Sequence, residues 1–201
     1  MHEQFWEQLA DLDRQETARR AGCRYLAESD SFAILLLNAE YVVDPVGRTV
    51  RVQAEAGAAP DAGYAQQLCI LAYLVHAREL PPAGQLVSAE RLDPGGFFFR
   101  GSHRLALEDL AHAFGSDPQL LHETGRLLQA APRAFGDASI ELLVLPRIPA
   151  TLIVWAADEE FGARASILFD RHATVQLPLD VLFAAAALTI RVVLSIVKTL
   201  I

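Results

Sequence analysis

The chain has 201 residues, 52% of them apolar, 21% charged and 8% aromatic, a profile that excludes disorder, collagen and a disulfide mini-protein. Sixteen arginines and one lysine stand against twenty-five acids, and the resulting charge of −8 argues against a nucleic-acid footprint, which needs a basic stripe, and against an anionic membrane surface. A chain of this length buries roughly 70% of its unfolded surface, enough for one generous core or two tightly fused subdomains without metals or staples.

The opening residues, MHEQFWEQLADLDRQETARR, carry acids and glutamines where a secretory signal needs a basic region and an apolar run, so a cytoplasmic protein is expected. Phe5, Leu9, Leu12 and Glu16 mark helical spacing, which predicts one helix over residues 3–20 with Gly22 as its stop. Runs at 32–37, 40–44 and 48–53, parted by Asn38-Ala39 and Asp44-Pro45-Val46-Gly47, predict a three-stranded meander. A helix follows over 63–79, ended by Pro81-Pro82.

Beyond residues 86–91 and the loop Asp93-Pro94-Gly95-Gly96, Phe97-Phe98-Phe99 predicts a short buried strand. Helices are expected over 106–114 and 118–130, the second entered through Ser116-Asp117-Pro118. Strands at 140–145, 151–157 and 165–169 are parted by Pro146-Arg147-Ile148-Pro149 and by residues 158–162. The fold class is α+β, with antiparallel β-meanders covered by helices. The halves 1–82 and 83–201 each run helix, three strands, helix, which suggests a degenerate duplication inside one domain, although no residue-level repeat aligns.

The last twenty-one residues, VLFAAAALTIRVVLSIVKTLI, raise the question of a membrane span. Arg191, Ser195 and Lys198 share one helical face, and a charge near the centre of a lone span costs roughly 2.5–3.5 kcal/mol. The segment therefore reads as a long core helix with a narrow wet stripe, and the alternative for its excess apolar surface is a homodimer seam. Cys23 and Cys69 fit neither a CxxC pair nor a zinc or iron–sulfur spacing; both read as buried hydrophobes, and no iron–sulfur cluster is expected.

Three stretches carry a family likeness: Gly22-Cys23-Arg24-Tyr25 followed by SFAILLLNAEYVV, Leu92-Asp93-Pro94-Gly95-Gly96 with its trailing phenylalanines, and IVWAADEEFGARASILFD. On these the chain resembles, over nearly its whole length, DUF3786, a prokaryotic family of unknown function. The most specific part runs from Trp155 to Asp170. The resemblance implies no assigned activity, and the cysteine-rich iron–sulfur module of some relatives has no counterpart here.

Two constellations carry candidate chemistry. Asp158, Glu159 and Glu160, together with Asp170, could supply oxygen ligands for a divalent cation, or a general acid if crowding raises one pKa. Against that stands a plain solvated acidic turn, although Phe161 suggests a loop tied to apolar surface. The run Gly95-Gly96-Phe97-Phe98-Phe99-Arg100-Gly101-Ser102-His103 offers close backbone approach, an aromatic slot and two polar groups, with Arg100 meeting a carboxylate and His103 serving as axial ligand or proton carrier. Its glycines fit neither GxxxxGK nor GxGxxG, and a turn with a buried strand explains them equally. Ser102 beside His103 is no nucleophile elbow, and neither cysteine has a local histidine.

Three functions follow. The favoured one is a binding protein that holds a small, partly apolar, anionic ligand or cofactor, such as a tetrapyrrole, among Phe98, Arg100, His103, Trp155 and Phe161. The second is a divalent-metal-assisted enzyme using the 158–160 carboxylates. The third is a non-catalytic assembly protein whose dimer breaks when Ala185 or Ala186 is enlarged. No nucleic acid or membrane partner is expected, and the scarcity of paired catalytic groups favours the binder.

Overall fold

The computed structural model describes residues 2–53, 60–92 and 104–200. Their fold is α+β, with two antiparallel sheets and helices packed on them. The chain opens with α1 (His2–Asp11) and α2 (Arg14–Ala21) where one helix is expected. Asp13 makes the break: its backbone is extended, at φ −61° and ψ 129°, and its carboxylate accepts the Glu16 N–H at 2.8 Å, capping α2. Apolar spacing runs straight through this position, so periodicity alone does not show it. Gly22 ends α2 in the left-handed region at φ 64°.

The first sheet is the meander β1 (Arg24–Leu26), β2 (Ser31–Leu36), β3 (Ala39–Asp44) and β4 (Thr49–Val52), in that order. β1 is an addition to the three expected strands; three residues are too few for a readable alternation. The β2–β3 turn is Leu37-Asn38, one residue earlier than expected, and both residues are left-handed, with φ of 49° and 66°. A leucine pays a steric cost there that glycine would escape. Leu37 is held nonetheless, because its side chain is buried in the core and its N–H donates to the Val144 carbonyl of the other sheet at 3.1 Å.

Helix α3 (Tyr64–His76) follows, and residues from Leu68 to Leu74 are all buried. A helix apolar on every side belongs in the interior, and α3 lies against α1, α2 and α7 (Leu179–Val197). It stops at His76, earlier than expected, because Ala77 turns extended.

In the second half, β5 (Leu86–Ser88) leads to one 3-10 turn, then α4 (Leu107–Phe114) and α5 (Gln119–Leu127). A meander of β6 (Ala131–Arg133), β7 (Ala138–Leu145), β8 (Ile148–Trp155) and β9 (Arg164–Asp170) comes next, and β5 pairs with β9 to give the order β5-β9-β8-β7-β6. The strand expected at 97–99 lies outside the described residues. Pro149, expected in a break, sits inside β8 opposite Leu143. The register shifts between Leu143 and Leu145, the kind of irregularity at which a strand proline is tolerated. The short α6 (Ala173–Gln176) and α7 complete the chain. Helix α7 is long and apolar enough to cross a membrane by length and composition, yet half of its apolar window is buried in this fold. Each half thus places two helices before a four-stranded meander and one or two after it.

A small polar joint locks the halves together. The hydroxyl of Tyr73, fully buried in α3, donates to the Ala21 carbonyl at 3.0 Å and accepts the Arg147 N–H at 3.1 Å. Arg147, in the β7–β8 turn, donates from Nε to the Arg20 carbonyl at 2.7 Å and from a terminal nitrogen to the Arg19 carbonyl at 3.2 Å, satisfying the C-terminal end of α2. Burial pushes the Tyr73 phenol up, so it stays an O–H donor. Tyr73→Phe strands a buried carbonyl and a backbone N–H, and urea denaturation should show a loss of about 1–3 kcal/mol. A loss below about 0.5 kcal/mol would contradict the role given to this hydroxyl.

Candidate functional site

The acidic tip between β8 and β9 is an Asx turn. The Asp158 carboxylate accepts the N–H of Phe161 at 2.6 Å and of Glu160 at 2.9 Å, and these donors hold its carboxyl below the usual range. Glu159 and Glu160 are exposed, and Phe161 is 63% exposed, so the phenylalanine does not tie the loop to apolar surface as expected. Trp155 is half-buried with the Arg164 guanidinium 4.9 Å above its ring, so one of its faces is already occupied.

Asp170 is elsewhere. It ends β9, six residues beyond Arg164, which places it about 20 Å along the strand from the acidic tip. Its buried carboxylate accepts the N–H groups of Ala83 at 2.9 Å, Gly84 at 2.8 Å and His172 at 2.9 Å. Burial works to raise this carboxyl, but the donors Ala83, His172 and Gly84 outweigh it and hold it below the usual range. Asp170 is therefore apart from the three carboxylates of the tip, and among the described residues no group of three His, Cys, Asp or Glu side chains is placed to hold a metal. Phe98, Arg100 and His103 lie outside the described residues.

What the structure does assemble is a cleft of about 790 Å³ where the two sheets meet. Strand alternation builds it. On β2, Phe32, Ile34 and Leu36 face the core, whereas Ala33 and Leu35 line the cleft; on β7, Ile140 and Val144 face the core, Glu141 and Leu143 line the cleft, and the buried Leu142 touches both. Leu145 and Pro146 supply more apolar lining, and Gly22 and Cys23, from the end of α2, lie beside them. Leu35 is 47% and Leu143 is 56% exposed, one open leucine from each sheet.

The polar groups of this cleft are tethered. The Glu40 carboxylate holds the Arg24 guanidinium at 2.7 Å, and Glu141 holds that of Arg133 at 2.6 Å while lying 3.5 Å from the Thr151 hydroxyl. Burial pushes the Cys23 thiol up to about 12 despite its own backbone hydrogen bond, so it is protonated at neutral pH. No histidine is among the described lining residues. The lining is mostly apolar with a few tethered charges, and no nucleophile–base pair is found among its described residues.

A sequence signal for the cleft exists. In the runs SFAILLLN and ELLVL, positions on both faces of an antiparallel strand are apolar, whereas a sheet wetted on one side alternates. Leu35 and Leu143 are the residues that break this alternation.

The fold is thus a helix-covered α+β domain of two antiparallel meanders. The model of the family described as "Domain of unknown function (DUF3786)" matches residues 13–192, and the chain belongs to that family. The match opens on the cap of α2 and closes within α7, so it takes in both sheets and the cleft between them. No curated protein and no solved structure matches the chain.

Two outcomes are expected here. Cys23 should react with iodoacetamide at pH 7.5 at least roughly a hundredfold more slowly than free cysteine, and rapid labelling read by mass spectrometry would contradict the protonated state. Asp170→Asn should destabilise the fold by about 1–3 kcal/mol at pH 7. Because the folded carboxyl lies below the ordinary value of 3.8, its stabilisation is present above that pH and is lost as pH falls through the folded value. The gap between wild type and variant in thermal melts should therefore begin to narrow below the ordinary value of 3.8 and close as pH falls through the folded value; a constant gap would assign the loss to something other than this ionisation.

Proposed function

We propose that the protein is a binding module that takes a small, partly apolar ligand in the cleft between its two sheets. The observation that carries this is the cleft itself. Its volume of about 790 Å³ falls within the range of small-molecule sites, and open leucines on both walls sit beside a few fixed polar groups. The absence of a nucleophile–base pair among the described lining residues favours binding over catalysis. The metal-assisted alternative loses support from the separation of Asp170 from the 158–160 tip.

The anionic character inferred from Arg100 and His103 has one counterpart in this cleft, Arg24, and that guanidinium is already held by Glu40. With Glu141 on the opposite wall, the cleft carries two acids to one base, so the ligand that suits it is neutral or zwitterionic rather than strongly anionic.

Leu35→Arg and Leu143→Arg place a charge on each apolar wall at positions already open to water. A fluorescence titration with Nile red should show saturable binding to the wild type and a roughly tenfold or greater weakening in each variant, the worth of one buried leucine contact. Unchanged binding in both variants, with melts confirming that they fold, would overturn the assignment. Native mass spectrometry of the purified protein identifies any natural occupant.

A further inference from the structure

Helix α7 buries one side completely and leaves another open. Val181, Leu182, Ala185, Ala186, Ile190, Val193 and Val197 are at most 2% exposed. Asp180 and Arg191 are exposed, and Ala184, Ala187 and Leu194 are half-buried. At about 100° per residue these five positions fall within one band of roughly 80° on the helix. The seam expected from sequence at Ala185 and Ala186 is therefore misplaced by one step: those alanines are core, and enlarging them would disturb the fold itself.

On this band Asp180 and Arg191 bracket Ala184 and Ala187, Leu194 and the exposed Lys198 continue the line beyond Arg191, and half-buried Phe183 and exposed Ser195 flank it. Neither Asp180 nor Arg191 takes part in an ion pair among the described residues. Their separation of eleven residues spans about 16 Å of helix, three turns, so both point the same way. A stripe with acid toward its N-terminal end and base toward its C-terminal end complements a copy of itself only when the two run antiparallel. A parallel pairing would set acid on acid and base on base.

We propose that this face of α7 pairs with the same face of a second copy of the chain, antiparallel about a twofold axis lying between Ala184 and Ala187. Ala184 then meets Ala187 of the second copy, and Asp180 meets Arg191 of the second copy at both ends of the contact. This is the self-complementary geometry of an isologous dimer. The alanines let the helix axes approach to the roughly 8–10 Å of packed helices. A groove of about 610 Å³ between the start of α3 and α7, lined by Tyr64, Leu188, Arg191 and Val192, gives the incoming helix depth beside the ion pair. The face lies on elements other than those of the inter-sheet cleft, so the pairing stands or falls independently of the binding reading.

Sedimentation velocity of the full chain at low salt, over roughly 1–100 µM, reads the outcome. The wild type should dimerise. Asp180→Arg and Arg191→Asp should each raise the dimer Kd by roughly tenfold or more, and the double swap should restore it, because the pair is re-formed with its signs exchanged. Circular dichroism melts show that each variant folds. A wild type monomeric throughout, a dimer indifferent to the single swaps, or a double swap that stays weak would each overturn the proposal. So would a monomer that cosediments with phosphatidylcholine–phosphatidylglycerol vesicles, which would give the face to lipid instead.

Discussion

One buried hydroxyl ties the halves of this protein together within their shared core. Tyr73 lies on α3, the only stretch among the described helices whose side chains are buried for seven residues in succession, and its oxygen joins the end of α2 to the β7–β8 turn. An unpaired polar group at that depth costs more than a typical hydrogen bond contributes, so the two elements are held at one separation and one angle. Arg147 reinforces the joint by filling carbonyls that α2 leaves open. Gly22 lets the chain leave α2 there, because its φ of 64° is one that side chains rarely adopt.

The cleft borders that joint. Gly22, Cys23, Leu145 and Pro146 line it, and all of them lie within two residues of a group that the Tyr73–Arg147 network holds. The strained Leu37, donating its N–H to Val144, fixes a second point between the sheets. Strain of this kind persists only where surrounding structure over-determines it, and here the next residue, Asn38, lines the cleft. Packing, backbone strain and site geometry thus converge on one place in the molecule.

Much of the fold was legible in the sequence, and the exceptions have physical causes. Long periodic segments such as α7, and apolar runs such as β7 and β8, announce themselves. Strands of three residues, β1 and β6, carry no readable alternation, and the Asp13 break depends on a cap that apolar spacing ignores. The candidate sites were less legible. Acids in a row attract attention at 158–160, but there they stabilise a turn and face water; Asp170 looked like a ligand and instead fixes the loop at Ala83 and Gly84. The cleft residues are leucines, a glycine and paired charges, ordinary in sequence and informative only once two distant strands are set side by side.

The binding we propose rests on shape and apolar contact, with the charges of the cleft held in fixed pairs, and its walls are where a bound molecule would leave its mark. Hydrogen–deuterium exchange of the full chain, with and without saturating Nile red, tests this most directly. Slowed exchange concentrated at residues 22–24, 33–40 and 141–146 is the predicted result. Protection centred on residues 155–161 instead, or none at all with the probe bound, would contradict it.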